Sequence, residues 1–186
     1  DWSSDVCSSD LLFDRMEQTL TPPILAFCGP IGSGKDEAAT VAGEFGYDKI
    51  GFADHLKEVC KFITGHDYTL RETKDSEVFP GVTGRRVLEV IGTEAMRTLN
   101  PNFWIDKVLE KKDIAICDVR FPNEVEAIQK AGGIVIKIIR EGCQRTGHES
   151  DNWEELKSDF CIVNDGTLEE FKQEVRNLIG FICTEL

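Results

Sequence analysis

"FCGPIGSGKDEAA", residues 27–39, is the stretch on which the fold turns. Gly29 and Gly34 frame four residues, Lys35 follows, and Asp36 stands where such loops usually place a serine or threonine for magnesium. The pattern gains meaning from its neighbours. "ILAFC" (24–28) ahead of it reads as a buried strand, and "KDEAATVAGEF" (35–45) behind it reads as a helix closed by Gly46. A glycine-rich turn between the two lets backbone N–H groups point inward around phosphate oxygens, and the helix N-terminus adds its positive dipole. Gly29, Gly32, Ser33, Gly34, Lys35 and Asp36 are therefore expected to bind ATP, with Lys35 reaching the β- and γ-phosphates. The bland alternative is a glycine-rich turn with an exposed lysine.

Asp36 carries more than one reading. It can stabilise the first turn of the helix. A bare negative charge beside a triphosphate is repulsive, however, and a magnesium ion held by the carboxylate, directly or through its waters, offsets it. A role in orienting the acceptor phosphate is the third reading.

Outward from the loop, apolar runs alternate with helical stretches. "KIGF" (49–52) reads as a short strand and "DHLKEVCKFI" (54–63) as a helix with Asp54 at its N-cap. Residues 64–84 carry turn formers without periodicity and read as a long functional loop. Helices are expected at 85–99, 102–112, 123–132 and 167–182, the last opened by a capping box of Thr167 and Glu170. Strands are expected at 113–119, 133–140 and 159–165. Continuous apolar strands between helices imply a parallel sheet covered on both faces. The expected fold is α/β, a three-layer P-loop fold with about five parallel strands.

Composition sets the bounds. The 186 residues suffice for one such domain, and no apolar run approaches a membrane span or a secretory signal. Residues 1–10 lack periodicity and look like translated sequencing adapter, or else a disordered acidic tail, so the domain is taken as 11–186. The net charge of −13 argues against a nucleic-acid backbone as main partner, though a small anionic ligand needs only a local cationic cluster. Seven cysteines without a C-x-x-C pair read as reduced, mostly buried thiols of a cytoplasmic protein.

Two further constellations carry chemistry. Asp118 ends a buried strand in "DIAICDVRFPNEVEAI", where an acidic group holds magnesium or its waters, or merely caps a turn. A second anionic ligand beside the donor would need cations, for which Lys57, Arg71, Arg85, Arg86 and Arg97 are candidates. Arg86 and Arg97 are eleven residues apart, which on a regular α-helix puts them on one face.

"GSGKD", "FADHLKE", "IGTEAMR", "NFWID", "DVRFPNEVEAI" and "HESD" together resemble the bacteriophage-type deoxynucleoside monophosphate kinases, from about Pro23 to Leu178. These are P-loop kinases whose loop ends in Gly-Lys-Asp. The sequence departs from them at Glu37, His55 and Asp151, where that family often has Thr, Pro and Glu. The resemblance implies magnesium-dependent transfer of the γ-phosphoryl of ATP to a deoxynucleoside monophosphate. It implies an acceptor region over about 53–110, with Lys57, Arg86, Thr93, Glu94, Arg97 and Arg120 as acceptor-binding residues. It implies a lid over about 140–152 that brings Arg140 and Arg145 to the transferring phosphoryl group beside Lys35 and Asp36, with Asp36 and Asp118 as metal ligands. His148, near Glu149 and Asp151, reads better as a structural hydrogen-bonding residue than as a metal ligand. Expected partners are small nucleotides, with no nucleic acid and no membrane; members of that family also pair as homodimers. The location implied is the cytoplasm, that of a bacterial host for a phage-encoded chain. Two rival readings remain: a P-loop kinase for dephospho-coenzyme A or phosphomevalonate, and a silent nucleotide-binding module.

Overall fold

The computed structural model describes residues 24–143 and 153–185. Strand β1 (Leu25–Cys28) is the middle of a five-stranded parallel sheet of order β2-β5-β1-β6-β7. Its companions are β2 (Asp48–Ile50), β5 (Ile114–Val119), β6 (Ile134–Ile139) and β7 (Phe160–Val163). β1 pairs with β5 on one side and β6 on the other, so the chain's crossovers diverge around it. A crevice at the carboxyl ends of the strands is the expected ligand position in such a sheet.

Each residue of β1 is buried, and alternate side chains serve opposite faces. Leu25 and Phe27 join a core with helix α1 (Lys35–Ala42) and the closing helix α7 (Leu168–Glu185), through Ala38, Ala39, Phe171 and Val175. Ala26 and Cys28 join a second core with α2 (Phe52–Thr64), α5 (Phe103–Leu109) and α6 (Pro122–Lys130), through Phe52, Trp104 and Val125. Trp104 is core, and its indole N–H donates to the Gly92 carbonyl at 3.0 Å. The capping box of α7 forms as expected: Thr167 N–H donates to Glu170 Oε2 at 2.8 Å, and Glu170 N–H to Thr167 Oγ1 at 3.3 Å.

Four expectations are corrected. Residues 64–84 are not one irregular loop. They contain a short helix α3 (Arg71–Asp75) and a hairpin of β3 (Glu77–Phe79) and β4 (Val82–Thr83), closed by Pro80-Gly81. Helix α2 begins at Phe52, so Asp54 lies in its first turn and accepts from the Gly51 N–H at 2.7 Å rather than standing at the N-cap. The helix expected at 85–99 is α-helical over Gly84–Glu89 (α4), then becomes a π-helix over Val90–Arg97. Of the six described cysteines, all free, only Cys28 and Cys60 are buried, whereas Cys161 and Cys183 are exposed.

Candidate active site

The turn from β1 into α1 has the conformation its glycines permit. Gly29, Gly32 and Gly34 have φ of 141°, 81° and 110°, a region that disfavours side chains. A Cβ on Gly29 would also collide with the Ile138 carbonyl of neighbouring β6. Asn164, just past β7, clamps the loop from behind: its Nδ2 donates to the buried Ser33 carbonyl at 2.8 Å. Sequence reasoning missed Asn164, because nothing local ties it to a loop so far back in the chain. Ser33 is fully buried, and its hydroxyl finds no partner among the described residues. Ile31, at the tip of the turn, is 59% exposed.

Lys35 folds over this loop and donates to the carbonyls of Gly29 and Pro30 at 2.8 and 2.6 Å. Burial, then the nearby Arg120 charge, pulls its pKa below the usual lysine value, while Asp36 pulls the other way. An anion at the loop would satisfy this ammonium together with the first amides of α1, which no helix can bond internally.

Asp36 points to solvent, its side chain 83% exposed, with Lys49 Nζ 3.1 Å from Oδ1. Lys49 also donates to the Asp36 carbonyl at 2.9 Å. A lysine thus already offsets part of the aspartate's charge, which the sequence did not reveal. Asp118 sits at the carboxyl end of β5 and faces the start of α2. Its two oxygens accept from Phe52 N–H at 2.7 Å and Ala53 N–H at 3.1 Å, and burial, first among several influences, raises its pKa. It therefore caps a helix in this structure. Among the described residues no cluster of three or more His, Cys, Asp or Glu forms a ready cation cage. Magnesium in kinase sites commonly takes only one or two carboxylates, completing its shell with water and substrate phosphates. Asp36, with one oxygen away from Lys49 and open to solvent, fits that mode; Asp118 fits it less well.

The acceptor-side candidates separate into paired and unpaired cations. Arg86 is engaged through both terminal nitrogens by Glu94, with Glu89 Oε2 at 3.5 Å. Arg97 is bonded to the buried Glu124 and stacks 4.1 Å above the Phe121 ring. The expected shared face of Arg86 and Arg97 is therefore not realised: the π-helix takes more residues per turn, and each arginine meets a different carboxylate. Glu124 also accepts from the Arg120 and Phe121 N–H groups at 2.7 and 3.0 Å, so it organises the chain after Asp118. Lys57 is paired with Asp54 at 2.6 Å, and Arg85 with Asp75 at 2.7 Å. Thr93 lies half-buried on the π-helix. The Arg120 side chain is exposed and has no ion pair among the described residues. Arg140, just past β6, is also exposed. Arg145, His148, Glu149 and Asp151 lie outside the described residues, and with them the lid expectation.

The five-stranded sheet, its loop on the central strand and the helices on both faces make the P-loop kinase fold. Solved structures with the same fold include shikimate kinase from Aquifex aeolicus (TM-score 0.55, 12% identity, covering 87% of this chain and 98% of that one). Dephospho-CoA kinase from Campylobacter jejuni is another (TM-score 0.51, 18% identity, 86% and 96%). A family model described as deoxynucleotide monophosphate kinase matches residues 72–175. A protein of Acanthamoeba polyphaga mimivirus named "Putative deoxynucleotide monophosphate kinase" is 31% identical over 181 residues, covering 82% of this chain and 93% of its own length. The chain belongs to the deoxynucleotide monophosphate kinase family and is a phosphotransferase of the P-loop class. No helix among the described residues is long and apolar enough to cross a membrane.

Proposed function

We propose that the protein transfers the γ-phosphoryl group of ATP to the phosphate of a deoxynucleoside monophosphate, giving the diphosphate, with magnesium required. The observation that carries this reading is Lys35 folded over a glycine loop that follows the central strand, in a chain of this family. The acceptor phosphate oxygen is itself an anionic nucleophile, so no strong general base is needed. Catalysis then consists of positioning and charge neutralisation. Glycine-loop amides and Lys35 hold the donor phosphates, and Lys35 leaves the Gly29 and Pro30 carbonyls to do so. Magnesium, when bound beside Asp36, supplies charge neutralisation between the donor phosphates. Arg120 faces the acceptor phosphate. Arg97 is a positioning residue, fixed by Glu124 and Phe121, for the wall in which Arg120 stands. Arg140, exposed just past β6, serves the transferring phosphoryl group.

The test is an ADP-release assay over a panel of acceptors: deoxynucleoside and ribonucleoside monophosphates, dephospho-coenzyme A and phosphomevalonate. Turnover with at least one deoxynucleoside monophosphate is expected. Turnover confined to a non-nucleotide acceptor, or ATP binding with no transfer at all, overturns the reading.

A further inference from the structure

Glu124 stands in the first turn of α6, where an acidic residue commonly does no more than stabilise a helix start. Here its side chain is 1% exposed, and its two oxygens serve different parts of the chain. Oε1 accepts from Arg97 Nη2 at the end of the π-helix. Oε2 accepts from the Arg120 and Phe121 N–H groups of the turn between β5 and α6. The Arg97 guanidinium lies over the Phe121 ring, so carboxylate, guanidinium and aromatic ring close on one another. Burial raises the Glu124 pKa, and Arg97, then the Arg120 N–H, act against that rise.

The position of that turn gives the arrangement its meaning. On the β1–β5 ladder Val119 pairs with Cys28. The strands run parallel, so the next residues, Arg120 and Gly29, leave the sheet side by side at its carboxyl end, Gly29 into the glycine loop. Asp118, one residue before Val119, holds the first amides of α2. Asn123 Nδ2 donates to the Pro101 carbonyl at 3.2 Å and to Asn102 Oδ1 at 3.0 Å, tying the start of α6 to the segment that follows the π-helix. The Arg120 backbone is thus fixed from both sides while its side chain stays exposed. Capping α6 requires only an oxygen acceptor at its first N–H groups. A buried ion pair on top of that costs desolvation, and an apolar pair of similar volume often stabilises a fold as well. The helix start therefore does not account for the Arg97 arm, which bears on a turn that borders the phosphate loop.

We propose that Glu124 is a positioning residue for phosphoryl transfer: anchored by Arg97, it fixes the Arg120 backbone beside the glycine loop and so sets where the Arg120 guanidinium meets the acceptor phosphate. The inference rests on the kinase reading above and deepens it. Neither Glu124 nor Arg97 touches substrate; both act through Arg120. A guanidinium engages phosphate through a planar fork, so a small displacement of its backbone costs more than it would for an ammonium.

The experiment compares wild type with Glu124→Gln, Arg97→Met and the double variant, reading the unfolding midpoint and the kinetic constants for ATP and a deoxynucleoside monophosphate where each protein is fully folded. Glu124→Gln keeps an oxygen for the two amides and removes the charge that Arg97 needs; Arg97→Met keeps apolar cover on the Phe121 ring. Each single variant leaves one charge unpaired and is expected to unfold earlier than wild type. Each is also expected to lose about tenfold or more in acceptor kcat/KM, as for a lost charged hydrogen bond, with the ATP KM changed less than about twofold. The double variant removes both charges, so its midpoint returns toward wild type while acceptor kcat/KM stays low. A merely structural pair predicts that kinetics recover along with stability. That recovery would overturn the inference, as would parallel rises in both KM values or an unchanged acceptor kcat/KM in Glu124→Gln. Wild type separates the two levels: no turnover there with any deoxynucleoside monophosphate defeats the function itself, whereas normal wild-type turnover with unaffected variants defeats only Glu124. Should the double variant not fold, amide hydrogen exchange of wild type decides. Slower exchange over residues 118–124 on adding the monophosphate supports the proposal, and unchanged exchange overturns it.

Discussion

Among the described residues Lys35 makes two hydrogen bonds, both to its own loop, so its side chain does little for the sheet or helices. Lys35→Ala is therefore expected to keep the wild-type unfolding midpoint while losing roughly a thousandfold or more in transfer rate, the scale of one preorganised charge at a phosphoryl-transfer site. Retained turnover would show that the donor binds elsewhere. Asp36 offers a sharper test, because Lys49 already balances it. If magnesium also uses this carboxylate, Asp36→Ser shifts the magnesium concentration for half-maximal rate. An unchanged titration makes Asp36 a partner of Lys49 and a first-turn residue only. At this scale, residues whose meaning is local were legible. Gly29, Gly34 and Lys35 declare themselves by spacing. Lys49 and Asn164 do not, because each acquires its role from residues distant in the chain.

Elements set where these side chains point, and here the sequence was readable for periodicity and blind to helix type. The run from Arg85 to Leu99 advertises a helix, but nothing in its apolar spacing announces that hydrogen bonding switches to the wider π pattern at Val90. The switch redirects Arg97 to Glu124. Likewise the carboxyl end of β5 was legible as a place for an acid, yet the start of α2 at Phe52 was not, so Asp118's bond to that helix was invisible. Replacing Asp118 by Ala leaves the Phe52 and Ala53 amides without their acceptor. It is expected to cost about 1 kcal/mol of stability as a lost cap, with Asp118→Asn, which keeps one acceptor oxygen, costing less. Denaturant unfolding measures both, and equal losses would show that capping is not what Asp118 contributes. Asn164 ties the element after β7 to the loop after β1. Asn164→Ala strands the buried Ser33 carbonyl, for an expected loss of about 1–3 kcal/mol. Its kinetic signature is a raised ATP KM with the acceptor KM little changed; the reverse pattern would remove Asn164 from the donor side.

Across the whole molecule, a sheet with β1 at its centre predicts how the thiols report on folding. The chain's alternation of strands and helices was enough to foresee the layers, because parallel strands buried on both faces must be continuously apolar. It did not foresee which cysteines those layers cover, since "FCI" on the edge strand β7 reads as apolar as "AFC" on the central one. Cys28 is fully buried in β1, and burial pushes its thiol up to about 11. Thiolate is the reacting species, so at pH 8 Cys28 is doubly protected, by access and by protonation. Cys161 on the edge strand and Cys183 near the end of α7 are exposed. Among the described cysteines, iodoacetamide on the native protein is therefore expected to modify Cys161 and Cys183 first, as read by peptide mass spectrometry. Cys28, and with it the buried Cys60, waits for opening of the core. Because β1 is held on both sides by β5 and β6, its exposure requires the sheet to come apart. The rate of Cys28 labelling then follows global stability: it rises with denaturant together with the loss of helical signal, and saturating ATP slows it by mass action on the native state. Labelling of Cys28 as fast as Cys161 in native buffer would mean that β1 is not the covered centre of the sheet, and the loop it carries would lose the rigid base on which donor binding depends.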